Sequence, residues 1–190
     1  MTFNVLIATI GRSTLHTMLE SLLPQLLEKD VLTIVFDGLH PIELDLSSAK
    51  CTVHIFEESV ALGFNGHAIR NKYQTILDKT DFILHADDDD VYADDAFLFL
   101  RQMCTDIDTL YVAKMYLHAI QKTVPAGRYI AIDNIGTPCG IIPYLLNTKG
   151  RWSLPGAGGD GRFYEEIAKH AKNIVFLDKI IYHVYPAPGR

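Results

Sequence analysis

Four consecutive aspartates, Asp87 to Asp90, follow directly on the apolar stretch Phe82-Ile83-Leu84. Adjacent carboxylates repel one another, so a folded chain tolerates such a run at a strand end where something positive, usually a divalent cation, shares the charge. The run therefore reads first as a metal site; the plainer alternative is a solvated acidic turn leading into a helix capped by Asp94. Asp87 to Asp90 with Asp94 and Asp95 supply six of the 23 acidic side chains, which leaves 17 acids against 17 basic residues, so the net charge of −6 comes from this one segment. A chain that bound nucleic acid by neutralising phosphates would carry a basic excess, and this one carries none. The same balance argues against attachment to a membrane surface through basic patches.

A length of 190 residues, 48% of them hydrophobic and 21% charged, predicts one soluble domain with a substantial core. The longest apolar runs, Val5 to Ala8 and Val31 to Phe36 with its single Thr33, fall far short of the ~20 residues of a membrane span. Met-Thr-Phe-Asn at the start has no basic region ahead of an apolar one, so no secretory signal is expected. Cys51, Cys104 and Cys139 are odd in number, widely spaced and free of any Cys-x-x-Cys, which predicts reduced thiols and a cytoplasmic location.

Strand-like runs alternate with helix-like ones, the pattern of an α/β fold with a mainly parallel sheet flanked by helices. Strands are expected at Asn4–Thr9, Leu32–Phe36, Thr52–Phe56, Asp81–Ala86, Leu110–Leu117, Tyr129–Ile132, Ile174–Leu177 and Lys179–Val184. Helices are expected after Ser13 or Thr14, with the stripe Leu15, Met18, Leu19, Leu22, Leu23 ending near Pro24, and over His67–Leu77, Asp95–Met103 and Arg162–Ala171. Asp160 is a natural N-cap for the last of these. Three of the first four strands end in polar groups: Thr9-Ile10-Gly11-Arg12, Asp37-Gly38 and Asp87 to Asp90. In a parallel sheet all three ends lie on one rim, beyond the carboxyl ends of the strands, where such sheets bind ligands.

These motifs resemble those of a known family. A first strand running into Thr-x-Gly-Arg, a second ending in Asp, a Gly-x-x-x-x-x-x-Arg-Asn helix and a strand ending Asp-x-Asp-Asp are similar to the nucleotide-binding half of GT-A glycosyltransferases near family two. The resemblance runs through Asp160 and extends to a small glycosyltransferase domain encoded by large chlorella-infecting viruses. It implies a single GT-A domain over 1–190, with a Rossmann-like nucleotide-sugar and metal half over about 1–95 and an acceptor-side half over about 96–190. It also implies a host-cytoplasmic enzyme, and a chain this small for the fold is expected to be one catalytic domain of a longer protein.

By that resemblance Asp87-Asp88-Asp89 is the Asp-x-Asp motif, with Asp89 the direct ligand of Mn²⁺ or Mg²⁺ and Asp87 nearer the ribose or metal; Asp88-Asp89-Asp90 fits as well. Thr9, Gly11, Arg12, Asp37, Arg70, Asn71, Asp87 and Asp88 would contact the nucleotide sugar, Asp37 the uracil ring. His183 would be a third metal ligand from a late strand. Asp160 would be the base of an inverting transfer from a UDP-sugar such as UDP-glucose to a glycan or other hydroxyl acceptor, although the family's usual preceding Glu is Gly159 here. Each role has a plainer alternative: an Asp-Gly turn at Asp37, a snorkelling surface arginine at Arg70, a sheet histidine at His183. Trp152 reads equally as a sugar-stacking platform or a core indole.

Other chemistries fit less well. An EF-hand loop would need Glu twelve positions along from Asp87 or Asp88, where Leu98 and Phe99 stand. Gly156-x-Gly158-x-x-Gly161 spells a dinucleotide fingerprint, but Arg151 to Pro155 is a poor strand before it. A sugar-phosphate nucleotidylyltransferase would want a glycine-rich Gly-x-Gly-Thr-Arg start, which Ile10-Gly11-Arg12-Ser13 lacks. A metal-dependent phosphohydrolase and a non-catalytic cation or sugar-nucleotide module complete the alternatives.

Overall fold

The computed structural model describes residues 1–153 and 158–186. One mixed sheet runs through them in the order β3-β2-β1-β4-β8-β6-β9-β5, with β7 added to β6. Strands β1 (Phe3–Thr9), β2 (Val31–Asp37), β3 (Thr52–Glu58) and β4 (Phe82–Asp87) are mutually parallel. Every residue of β1 and β2 is buried, because helices cover both faces of a parallel sheet and the strands can be apolar throughout. Helix α1 (Thr14–Leu22) lays Leu15, Met18, Leu19 and Leu22 on one face, and Pro24 turns its end into a short 3₁₀ turn over Leu23–Gln25.

Beyond β4 the sheet changes direction. Strand β8 (Gly140–Pro143) runs antiparallel to both β4 and β6 (Thr109–Leu117), and β6 lies parallel to the long β9 (Asn173–Val184). Two short strands, β5 (Val91–Tyr92) and β7 (Lys122–Val124), pair with β9 and β6. Helices α2 (His67–Tyr73), α3 (Ala96–Met103), α4 (Tyr144–Asn147) and α5 (Gly159–Ala168) complete the fold. Among the described residues no helix is long and apolar enough to cross a membrane.

Several expected elements differ. Tyr129–Ile132 forms no strand: the Asn134 side chain accepts from the Ala126 N–H and donates to the Gly127 and Tyr129 carbonyls, so a side chain replaces a ladder there, and a 3₁₀ turn follows at Ile132–Asn134. The two last strands are one, β9, with register irregularities where it faces Val112 to Met115. Helix α2 stops at Tyr73, four residues before Leu77. The N-cap position of α3 is Asp95, not Asp94, in a left-handed conformation with no side-chain cap. Asp160 lies inside the first turn of α5, behind Gly158 at the cap position. Of the glycine-rich segment, 155–157 fall outside the described residues.

Candidate functional site

The carboxyl ends of β1, β2 and β4 open onto a cleft of about 610 Å³ that α5 closes from the far side. Thr9, Arg12, Asp37 and Asp87 to Asp90 line one wall, and Asp160 lines the other. The parallel pairing puts the three strand ends on one rim.

Burial alternates along the acidic run. Asp88 and Asp90 point inward and are almost wholly buried, whereas Asp87 and Asp89 are partly open. Strand β4 ends at Asp87, so in the turn that follows it is the partners of each carboxylate that decide which one turns inward. Asp88 accepts hydrogen bonds from the Thr9 hydroxyl (2.6 Å) and the Ile10 N–H (3.3 Å) and pairs with the Arg12 guanidinium. Thr9 Oγ1 in turn accepts from the Gly11 N–H at 2.9 Å. Asp88, Thr9 and Gly11 thus knit the ends of β1 and β4 together, and among the described residues Gly11 does not line the cleft. Asp90 accepts from the Tyr185 N–H at 3.0 Å. Burial, aided by the charge of Asp87, pushes the Asp90 carboxyl up to about 8. Asp89 is also raised, by burial first and by Asp87 next, while Arg12, 3.6 Å away, opposes the shift.

Arg70 lies under the cleft, not in it. Its side chain is fully buried, with the guanidinium donating to Asp87 (2.6 Å), the Ala86 carbonyl and the Asn65 carbonyl, 5.0 Å from the Trp152 ring centroid. It is neither a snorkelling surface residue nor a group exposed to a nucleotide; it fixes the direction of Asp87 from behind. Asn71 also departs from the expectation. Its amide pairs twice with the Trp152 backbone, accepting from N–H at 2.9 Å and donating to C=O at 2.8 Å. Trp152 is 1% exposed and stacks on Phe163 at 4.3 Å, with the His85 ring edge-on to it. It is a core indole, and no sugar can lie on it in this arrangement.

Asp37 lines the cleft at the end of β2, and its two oxygens accept from the N–H groups of Leu62 (2.6 Å) and Gly63 (2.8 Å), which holds the 59–66 loop over the rim. His183 pairs with Val91, next to the acidic run, but does not line the cleft among the described residues. Its Nδ1 lies 3.1 Å from His118 Nε2, whereas its strand neighbour Tyr182 turns the other way and accepts from the Asp87 N–H at 3.0 Å. Burial and His118 lower its pKa. Among the described residues, no three acidic, imidazole or thiol groups converge as a preformed metal cage.

Asp160 Oδ2 accepts from the Thr137 N–H at 3.1 Å. Beside it sits His67, the first residue of α2, which the sequence reading passed over. A Cβ added at Gly159 would come 2.2 Å from His67 Cε1. The imidazole therefore fills the space that a larger side chain at 159 would need, which accounts physically for glycine where a glutamate was expected. The available signal was that His67 opens the helix directly after Gly63 to Gly66.

No family model and no curated protein matches this chain. Solved structures do match. Residues 1–349 of S. aureus TarS share 19% identity over 97% of this chain and 60% of theirs, with a TM-score of 0.69; a longer S. aureus TarS structure gives 19%, 99%, 37% and 0.68. Mannosyltransferase PcManGT from Pyrobaculum calidifontis, in complex with GDP-Man and Mn²⁺, shares 14% identity over 98% of this chain and 58% of its own, with a TM-score of 0.70. The chain thus spans 37 to 60% of the length of these structures. They show its fold, a single mixed α/β domain of the GT-A type.

Proposed function

We propose that the chain is a metal-dependent glycosyltransferase that moves a hexose from a nucleotide sugar, in the first instance a uridine one such as UDP-glucose, to a hydroxyl acceptor such as a glycan. The observation that carries this reading is that one cleft joins the open carboxylates Asp87 and Asp89, at the end of β4, to Asp160 at the start of α5. The residues suit Mn²⁺ or Mg²⁺: the available donors are carboxylate oxygens, burial and then the charge of Asp87 raise Asp89, and the cations beside them are already engaged, Arg12 with Asp88 and Arg70 with Asp87. Asp89 and Asp87 would hold the ion. When bound, it supplies Lewis-acid stabilisation of the departing diphosphate.

The chain's own groups supply the rest. Arg70 fixes Asp87 from below, and Arg12 places positive charge beside Asp89. Thr9, Asp88 and Asp37 build the rim on which the nucleotide lies. The Thr137 N–H holds one Asp160 oxygen, leaving the carboxylate to take the acceptor's hydroxyl proton. The acceptor oxygen then bonds to the anomeric carbon as the bond from that carbon to the phosphate oxygen breaks, its electron pair leaving with the nucleoside diphosphate. Attack opposite the leaving group inverts the anomeric centre.

A guanosine donor is the second reading. It is favoured by the GDP-Man of the Pyrobaculum protein.

Calorimetric titration of UDP, UDP-glucose, GDP and GDP-mannose, each with and without Mn²⁺, tests both readings. Cation-dependent micromolar binding that Asp89→Ala abolishes and Asp160→Ala spares is expected, with transfer lost in Asp160→Ala. Full transfer by Asp160→Ala would refute the base assignment. Absence of binding for all four would direct attention to phosphate release, the mark of a phosphohydrolase, or to a non-catalytic cation module.

A further inference from the structure

We propose that His67 reads a hydroxyl of the transferred sugar, its Nε2 accepting that hydroxyl's hydrogen. The inference rests on the donor reading above and deepens it from the site's nucleotide to its sugar.

His67 lines the cleft from the start of α2. Its Nδ1 lies 3.2 Å from the Ser153 carbonyl oxygen. A carbonyl only accepts, so Nδ1 carries a proton and donates it. Burial lowers the pKa, and with Arg70 it outweighs the bond to the Ser153 carbonyl and the charges of Asp160 and Asp87, which raise it, so the neutral ring is favoured and Nε2 keeps its lone pair. Among the described residues Nε2 has no hydrogen-bond partner, and no other residue lining the cleft is a histidine.

The ring is also held in place. Trp152 packs against it with centroids 5.3 Å apart, and Gly159 approaches so closely that any Cβ there would displace it. A side chain fixed by packing on one side and by a backbone bond on another presents its remaining polar atom in one direction, as recognition requires. That direction is meaningful in this cleft. His67 feels the charges of both Asp87 and Asp160. With the diphosphate at the end of β4 and the acceptor at the start of α5, the sugar bridges the two, and His67 stands beside that bridge. Its neighbours there are carboxylates, which accept from hydroxyls without the directional limit of a single imidazole lone pair.

Two neutral replacements separate this role from a structural one. His67→Asn places an amide N–H near the position of Nδ1, so the bond to Ser153 is retained and the atom at Nε2 is lost. His67→Gln reaches further and returns an accepting oxygen to the cleft. The readout is the ratio of the dissociation constant of UDP-glucose to that of UDP, and of GDP-mannose to GDP, by calorimetry with Mn²⁺, with near-UV circular dichroism confirming the fold. For the nucleotide pair that binds, the ratio should rise about fivefold in His67→Asn, the size of one neutral hydrogen bond, and stay within about twofold of the parent in His67→Gln. An unchanged ratio in His67→Asn, or an equal loss for nucleotide and sugar nucleotide, overturns the inference and leaves the donor reading standing. Failure of both UDP and GDP to bind the parent protein overturns the donor reading itself, and this inference with it.

Discussion

Asp88→Ala and Asp89→Ala, one residue apart, should act in opposite ways on stability. Asp88 is 1% exposed and accepts from Thr9, Ile10 and Arg12. Its removal leaves the Thr9 hydroxyl and the Ile10 N–H without their partner, and deprives Arg12, about one-third exposed, of its closest counter-charge. Counting about 1 kcal/mol for each neutral bond and about 1 for a charged bond discounted for solvent, the loss is about 3 kcal/mol. For a domain of this length that lowers the melting temperature by about 8 °C. Asp89 makes no comparable bond, and its charged form is disfavoured by burial and by Asp87. Its removal should leave stability within about 1 kcal/mol of the parent, or raise it, while abolishing cation-dependent donor binding. Urea unfolding followed by circular dichroism, with a chelator present, measures both. Equal destabilisation by the two variants, or an Asp88→Ala protein within about 1 kcal/mol of the parent, would refute the inward and outward alternation of the acidic run.

An unfolded aspartate titrates near 3.9, whereas Asp90 is pushed up to about 8 in the fold. Between those values the folded chain holds the proton and the unfolded chain has lost it, so this group's contribution to stability is present at low pH and is lost as pH rises toward 8. Asp90→Asn should flatten that decline in urea titrations at pH 5 and pH 8 with a chelator present; an unchanged slope counts against the shift. Trp152→Ala should cost about 3–5 kcal/mol in the same unfolding assay, because it removes a buried indole stacked on Phe163. Gly38→Ala should cost at least about 2 kcal/mol, since its φ is +78° and a Cβ would lie 2.6 Å from that of Ala61; a stability equal to the parent's would show that the loop relaxes freely.

The parallel half of the sheet was legible because apolar runs long enough to be strands ended in polar groups, and a parallel sheet brings such ends together. Strands β5, β7 and β8 were not, being two to four residues long and defined by pairing partners distant in the chain. The absent strand at Tyr129–Ile132 turns on the three bonds of the Asn134 side chain, and the burial of Trp152 on Phe163, His85 and His67 packing around it from distant parts of the chain; neither is announced by hydrophobic periodicity. His67 was missed for the same reason: its place beside Asp160 depends on how closely α5 approaches α2, and what permits that approach is the missing side chain at Gly159.

The acidic run shows the limit most clearly. Its position at a strand end could be read from Phe82-Ile83-Leu84 before it, but β4 ends at Asp87, and Asp88 and Asp89 lie in the turn beyond it, where no periodicity announces which aspartates face the cleft. Orientation is set there by tertiary contacts: Arg12 and Thr9 draw Asp88 inward, and Arg70, buried below, holds Asp87 at the opening. The division of four like residues into two that build the rim and two that face the cleft is therefore imposed by groups remote in sequence: Thr9 and Arg12 at Asp88, the Tyr185 N–H at Asp90 and Arg70 at Asp87.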